Sequence, residues 1–314
     1  MAKIWEESKG YNIARFYVDL CTITGFRSVK IFGKEKIPTD GCVLLAPNHS
    51  AALMDPLLVL LINNKPIGFG ARADIFRKPL IAKFLRWIRI VPLARERDGR
   101  ASVTQNLSTF EEIIDCLDHN VPFCMFAEGT HYSQRGMLPF KKGIFRIAKL
   151  AHDQLGKKVY VVPMGLEYED YFRQLKRAEI RIGDPVEIGE YFNTHADLTE
   201  SEIYKRLCEE VREKDLQLLN QIPQRKKFNF TLRALFGLLC LPLFFSCACS
   251  SITVWLPAIL IMGSFKDKAW THTVYWAARA LQPWFWIPYW IFEALADFYI
   301  NLIKDFRGGQ NRID

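Results

Sequence analysis

Between residues 232 and 265 only Arg233 interrupts an apolar run, and a chain carrying such a run must keep it away from water. As one straight helix it would measure about 50 Å against about 30 Å of bilayer hydrocarbon, too long for a single untilted span. Pro242 and Pro257 are the expected breaks. A re-entrant hairpin would leave both flanks on one side. That matches the basic residues before the run (Arg225, Lys226, Lys227) and after it (Lys266, Lys268). A second apolar run, 284–303, carries Glu293 and Asp297. Both runs are expected to be membrane-embedded; the competing reading is the buried core of a helical domain.

The apolar excess is concentrated after Leu232, so the chain divides by composition. Residues 1–29 read as an N-terminal helical segment, 30–222 as a soluble-type domain, and 223–314 as a basic linker followed by the apolar helices. Within the first segment Ile13, Phe16, Tyr17, Leu20 and Ile23 recur at spacings of three or four, giving an amphipathic helix over 11–26. Its stripe suits either core packing or the plane of a bilayer surface. Glu6, Glu7, Lys9, Arg15 and Asp19 interrupt any continuous apolar core of a secretory signal, so residues 1 to about 230 are expected on the cytoplasmic face of a membrane.

A formal charge of +8 suits nucleic acid, an anionic bilayer or a phosphorylated substrate. With no Cys-x-x-Cys pair, arginine-rich tail or aromatic RNA-binding stretch, nucleic acid is set aside. The eight cysteines are scattered, several inside apolar runs, and are expected to be reduced, buried thiols.

Between residues 42 and 166 short apolar runs alternate with longer helical segments, the pattern of a mostly parallel sheet with crossover helices, hence an α/β fold. Strands are predicted at 42–47, 67–71, 88–93, 123–127 and 160–166, and helices at 56–62, 79–87, 103–118 and 143–151. A further strand near 179–182 and a charged helix over 201–219 close the domain.

Chemistry-bearing residues follow three of these strands. Ala46-Pro47-Asn48-His49-Ser50-Ala51-Ala52-Leu53-Met54-Asp55-Pro56 puts His49 and Asp55 in a strand-to-helix loop. A neutral histidine can take a proton from a hydroxyl while a carboxylate on its other ring nitrogen fixes the tautomer. Six residues apart, the two would point about 240° away from each other on a continuous helix, so the pairing requires the loop to bend back. The alternative is that Asp55 is a helix N-cap followed by Pro56 at the first helical position. Phe126-Ala127-Glu128-Gly129-Thr130-His131 follows another strand. Gly129 permits a tight turn, Thr130 can bond or cap, and Glu128 can hold an acceptor hydroxyl or orient basic groups; an ordinary turn with solvated Lys141 and Lys142 is the bland version. Leu93-Ala94-Arg95 ends a third strand, and the planar guanidinium of Arg95 suits bidentate phosphate binding.

Asn48-His49 with Asp55, Leu93-Ala94-Arg95, Phe126-Ala127-Glu128-Gly129-Thr130 and Val162-Pro163-Met164 resemble the four ordered blocks of the glycerolipid acyltransferase family, over roughly residues 30–190. Five residues separate His49 from Asp55, as in the branch that includes glycerol-3-phosphate and dihydroxyacetone-phosphate acyltransferases. The resemblance implies that His49, assisted by Asp55, deprotonates the acceptor hydroxyl, which attacks the thioester of acyl-CoA or acyl carrier protein with no acyl-enzyme and no cofactor. It further implies that Arg95 and the Glu128, Gly129 and Thr130 loop hold a phosphate-bearing glycerol acceptor, and that the strand end at Pro163 shapes the acceptor or acyl pocket. Three positions depart from the family's pattern: Arg89 where many relatives have glycine, Ala127 for the usual proline, and His131 for the frequent arginine.

Two other classes compete. A thioesterase or serine hydrolase needs an activated nucleophile, and no Gly-x-Ser-x-Gly elbow occurs. A noncatalytic lipid-binding membrane protein would use the same basic surface and apolar tail. A metal hydrolase is disfavoured because His49, His131, His152 and His195 offer no ligand spacing.

Overall fold

Cys42-Val43-Leu44-Leu45-Ala46-Pro47 has no polar side chain, which suits a strand covered on both faces, and all six residues are buried. The computed structural model describes residues 3–6, 8–94, 101–131, 136–170, 175–222, 230–265 and 267–310. In chain order the strands are β1 (Ser28–Phe32), β2 (Cys42–Pro47), β3 (Gly68–Arg72), β4 (Ile90–Leu93), β5 (Phe123–Cys124), β6 (Val159–Tyr168), β7 (Arg177–Ile182) and β8 (Val186–Glu187). Among the described residues they form one sheet in the order β1-β7-β6-β2-β5-β3-β4, with β8 antiparallel to β6. The ladders linking β6, β2, β5, β3 and β4 are parallel. The expected α/β class with a mostly parallel sheet is therefore what the chain adopts. Position in the sheet explains composition: β6 is buried at nine of its ten positions, whereas Pro92, which lacks a ladder donor, sits in the edge strand β4.

The helices of this part are α1 (Lys9–Ile23), α2 (Met54–Leu60), α3 (Pro79–Trp87), α4 (Ala101–Asp118), α5 (Gly143–Leu155), α6 (Ile188–Thr194) and α7 (Glu200–Leu218). Ile113 and Leu117 of α4, Phe145 and Ile147 of α5, and Leu207 and Val211 of α7 close over Leu44, Phe123 and Val161 of the sheet. At roughly 1.5–3 kcal/mol for each fully buried large side chain, this cluster is the main favourable term for the domain. Thr199 and Glu202 start α7 with a capping box. Gly156, at φ 62°, ends α5 in the left-handed conformation that glycine adopts most readily.

Several boundaries differ from expectation. The predicted strand 123–127 stops at Cys124, because Phe126 to Gly129 is already a turn, with the Gly129 amide donating to the Phe126 carbonyl at 3.0 Å. Strands β1 and β8 and the short α6 were not anticipated; each is too short for its periodicity to show. Helix α3 falls where predicted but buries none of its residues, although a crossover helix should cover the sheet. Helix α1 also turns its apolar stripe outward. Ile13, Phe16, Tyr17, Leu20 and Ile23 are exposed, while Tyr11, Arg15, Cys21 and Thr22 are buried, so the stripe is not packed into a core.

The chain divides into two compact units: 1–19, 30–167 and 179–221 in the first, and 20–29, 168–178 and 222–314 in the second. The second holds α8 (Phe230–Ser250), α9 (Ile252–Ser264), α10 (Thr271–Ala280) and α11 (Trp286–Gln310). Helix α8, at 21 residues, is about 31 Å long and passes as a membrane span by length and composition. The break in the long apolar run falls at Ser251 and not at a proline. Pro242 and Pro257 lie inside α8 and α9, and the Ser251 hydroxyl donates to the Cys247 carbonyl at 2.6 Å. Helix α8 packs along α11, where Arg233 pairs with Asp305 and the Tyr299 hydroxyl donates to the Gly237 carbonyl, while α9 packs on α10. Of the basic flanks invoked for a hairpin, Arg225, Lys226, Lys227 and Lys266 lie outside the described residues, as does Gln224 of the expected linker. All eight cysteines are free thiols; six are buried, Cys240 is half-buried and Cys249 is exposed.

Candidate active site

The loop leaving β2 is anchored before it turns. Asn48 is buried, and its side-chain amide closes two hydrogen bonds on the backbone of Leu166 in β6: Nδ2 donates to the carbonyl at 3.1 Å and Oδ1 accepts the amide at 2.6 Å. Beyond it the chain reverses through Ala52, whose φ of 45° is left-handed. The reversal brings Asp55, fully buried in the first turn of α2, back to the histidine. His49 Nδ1 and Asp55 Oδ2 are 2.7 Å apart. The same oxygen accepts the backbone amides of Ser50 and Ala51, each at 2.8 Å. Asp55 is not the helix N-cap; Leu53 occupies that position. Its carboxylate serves the loop and the imidazole instead.

With Nδ1 donating to a carboxylate, Nε2 carries the lone pair, the tautomer a general base requires. Phe126 stacks on the His49 ring at 4.2 Å between centroids, and the His131 ring stands edge-on to it at 5.7 Å. His49 itself retains 18% exposure, so its outer edge is reachable.

Glu128, almost fully buried, holds two segments together: Oε1 accepts the His49 amide and Oε2 the Leu138 amide, each at 2.8 Å. Burial raises its pKa above the usual glutamate value, opposed by the Leu138 and His49 amides. Both carboxylate oxygens thus face the protein's own backbone. Gly129 (φ 73°) and Thr130 are exposed at the turn that follows, with Lys141 alongside Gly129. Arg212 of α7 fixes the same region from the other side, donating to the carbonyls of Leu138 (3.1 Å) and Met137 (2.8 Å). Sequence reasoning missed Arg212, which lies in a charged helix where nothing distinguishes it from its solvated neighbours.

Pro163 lies in the middle of β6 and not at a strand end; it is buried and in register with Ala46 of β2. Its carbonyl accepts the Gly183 amide at 2.9 Å, so its nitrogen faces the side where β7 has just ended, and no β2 ladder bond is lost. Arg95 lies outside the described residues; β4, parallel to β3, ends two positions before it at Leu93. Arg89 has a φ of 66°, in the left-handed region that glycine adopts most readily. The arginine is held there by the carbonyls of Ile4 and Glu6 and by the Tyr11 ring, 4.5 Å away. The His49 and Glu128 loops both leave carboxyl ends of parallel strands, where open α/β sheets place their ligands.

Fold and site together define an α/β protein with a hydrogen-bonded histidine and carboxylate pair at the carboxyl edge of its sheet. Residues 28–167 match a family model described as Acyltransferase. The 1-acyl-sn-glycerol-3-phosphate acyltransferase of Bacillus subtilis (strain 168) is 25% identical over 198 residues, covering 62% of this chain and 90% of that protein. The crystal structure of the 1-acyl-sn-glycerophosphate (LPA) acyltransferase PlsC from Thermotoga maritima aligns at 21% identity with a TM-score of 0.48. The alignment covers 69% of this chain and 84% of that one.

Proposed function

We propose that the enzyme esterifies a hydroxyl of a phosphate-bearing glycerol lipid precursor, 1-acylglycerol 3-phosphate in the first instance, with a fatty acyl group from acyl-CoA or acyl carrier protein. The observation carrying the reading is the 2.7 Å contact between His49 Nδ1 and the buried Asp55 carboxylate. His49 Nε2 takes the acceptor's proton, and the alkoxide oxygen bonds to the thioester carbonyl carbon. The tetrahedral intermediate then collapses by breaking the carbon–sulfur bond, and the imidazolium returns the proton to the departing thiolate. Asp55 stabilises the imidazolium without being protonated. Arg95 and the Glu128, Gly129 and Thr130 loop hold the phosphate-bearing acceptor, and Pro163 shapes the acceptor or acyl pocket. No metal or cofactor enters the reaction.

Glycerol 3-phosphate is the second acceptor to consider, favoured by the five residues between His49 and Asp55. Hydrolysis through Ser50 is disfavoured, because its hydroxyl is buried and makes no hydrogen bond among the described residues. The reaction would take place on the cytoplasmic face of a membrane, with α8 as the embedded segment. One assay crossing purified enzyme with both thioester carriers, both acceptors and water alone, with products read by mass, tests the reading. Arg95→Ala is expected to weaken acceptor binding by roughly 1.5–3 kcal/mol with turnover less affected. Acyl release to water in place of an ester would overturn the transferase reading, and unaltered acceptor affinity would remove Arg95 from the site.

A further inference from the structure

Helix α3 has the composition of an element meant to be covered. Leu80, Ile81, Phe84 and Trp87 lie within about 120° of arc around its axis. A surface helix normally turns such a stripe inward, yet Leu80 is 83% exposed and Phe84 56%. Trp87 meets Tyr11 edge-on at 6.4 Å, which joins α3 to the first turns of α1. Ile13 and Phe16 of α1 are themselves each 72% exposed. An exposed apolar stripe of this kind marks an interaction surface.

Its border is basic. Arg77 and Lys78 precede α3 and Lys83 flanks its stripe; all three are exposed, and none makes an ion pair among the described residues. We propose that α3 seats the first unit on an anionic phospholipid bilayer. The four apolar side chains of α3 enter the boundary of the hydrocarbon, and Arg77, Lys78 and Lys83 lie at the level of the lipid phosphates. Charge favours this occupant over a second copy of the chain, which would bring the same three cations against themselves. Connectivity favours it too. Helix α3 follows the carboxyl end of β3, which is parallel to β5, so its first turn starts from the sheet edge that carries the Glu128 loop. Seating α3 on lipid would set the base facing the bilayer, which deepens the proposed function by making the acceptor one drawn from the membrane.

The test reconstitutes the full chain in vesicles of phosphatidylcholine with about one third phosphatidylglycerol. A photoreactive phenylalanine analogue replaces Phe84 or, in a separate protein, exposed Lys36. Lipid adducts are expected at Phe84, and at least about tenfold fewer at Lys36. In parallel, a Leu80→Asp/Phe84→Asp enzyme should keep its melting temperature, since neither side chain is buried. It should raise the apparent KM for a bilayer-resident acceptor about tenfold and leave turnover of a short-chain, water-dispersed acceptor unchanged. Adducts to a second copy of the chain, or no adducts at Phe84, would overturn the proposal. Absence of ester with every acceptor while Phe84 still marks lipid would instead overturn the acyltransfer reading alone.

Discussion

At the residue scale, the proposed base depends on one carboxylate oxygen receiving three donors. Replacing His49 by alanine deletes the proton acceptor but none of the loop's own hydrogen bonds, so transfer should fall by about 10²–10⁴-fold or more. The fold should survive; single-turnover ester formation beside a thermal melt checks both. Asp55→Asn is expected to do more harm, because a neutral amide oxygen holds the three donors more weakly and a donor NH2 replaces the second carboxylate oxygen. A comparable loss of rate should come with roughly 1–3 kcal/mol of lost stability in denaturant titration. Legibility follows the same division. His49 and Asp55 could be singled out because few side chains do their chemistry. What bends the loop, the amides of Ser50 and Ala51, could not, since every residue but proline carries the same amide. Glu128 was legible as a residue of interest, but its two backbone partners come from positions 79 and 10 residues away and are marked by no side chain.

At the scale of elements, α7 and β6 enclose a carboxyl that no motif announces. Asp215 is fully buried, and neither carboxylate oxygen has a side-chain hydrogen-bond partner among the described residues. Burial drives its pKa well above the aspartate value, the nearby charge of Glu128 pushes the same way, and the Met164 amide opposes both. The sign follows: with the folded pKa above the unfolded one, the native state holds the extra proton. Stability is therefore greatest below pH 3.8 as far as this group is concerned and falls as pH rises toward the raised folded value. Asp215→Asn should flatten that fall; a steeper loss of melting temperature with pH in the variant would contradict it. Helix α3 makes a related point. Its period and Pro79 start were readable in the sequence, but which way its stripe faces was not, because an apolar face fits a protein core or a lipid surface equally well.

At the scale of the whole molecule, the second unit draws on three stretches of chain. Lys176, from the segment entering β7, forms a buried ion pair with Asp297 of α11. Removing one partner strands the other charge, so Asp297→Ala should cost about 3–5 kcal/mol. The swap Lys176→Asp/Asp297→Lys should recover part of it, measured as protease resistance of 222–314 in the full chain. Position 297 was noticed in the sequence only as an acid inside an apolar run; its partner lies 121 positions earlier and could not be read from local pattern.

The sequence by itself determined the α/β class, the strand order of the chemistry-bearing loops along the chain, and the long apolar segment after residue 230. Those depend on local periodicity and side-chain type. Only the tertiary structure decided that the carboxylate at Asp55 turns back to His49, that Pro163 lies inside a strand, that the apolar run breaks at Ser251, and that two amphipathic helices keep their apolar faces outward. Each of these turns on backbone groups or on neighbours far away in sequence, whose identity carries no local signature.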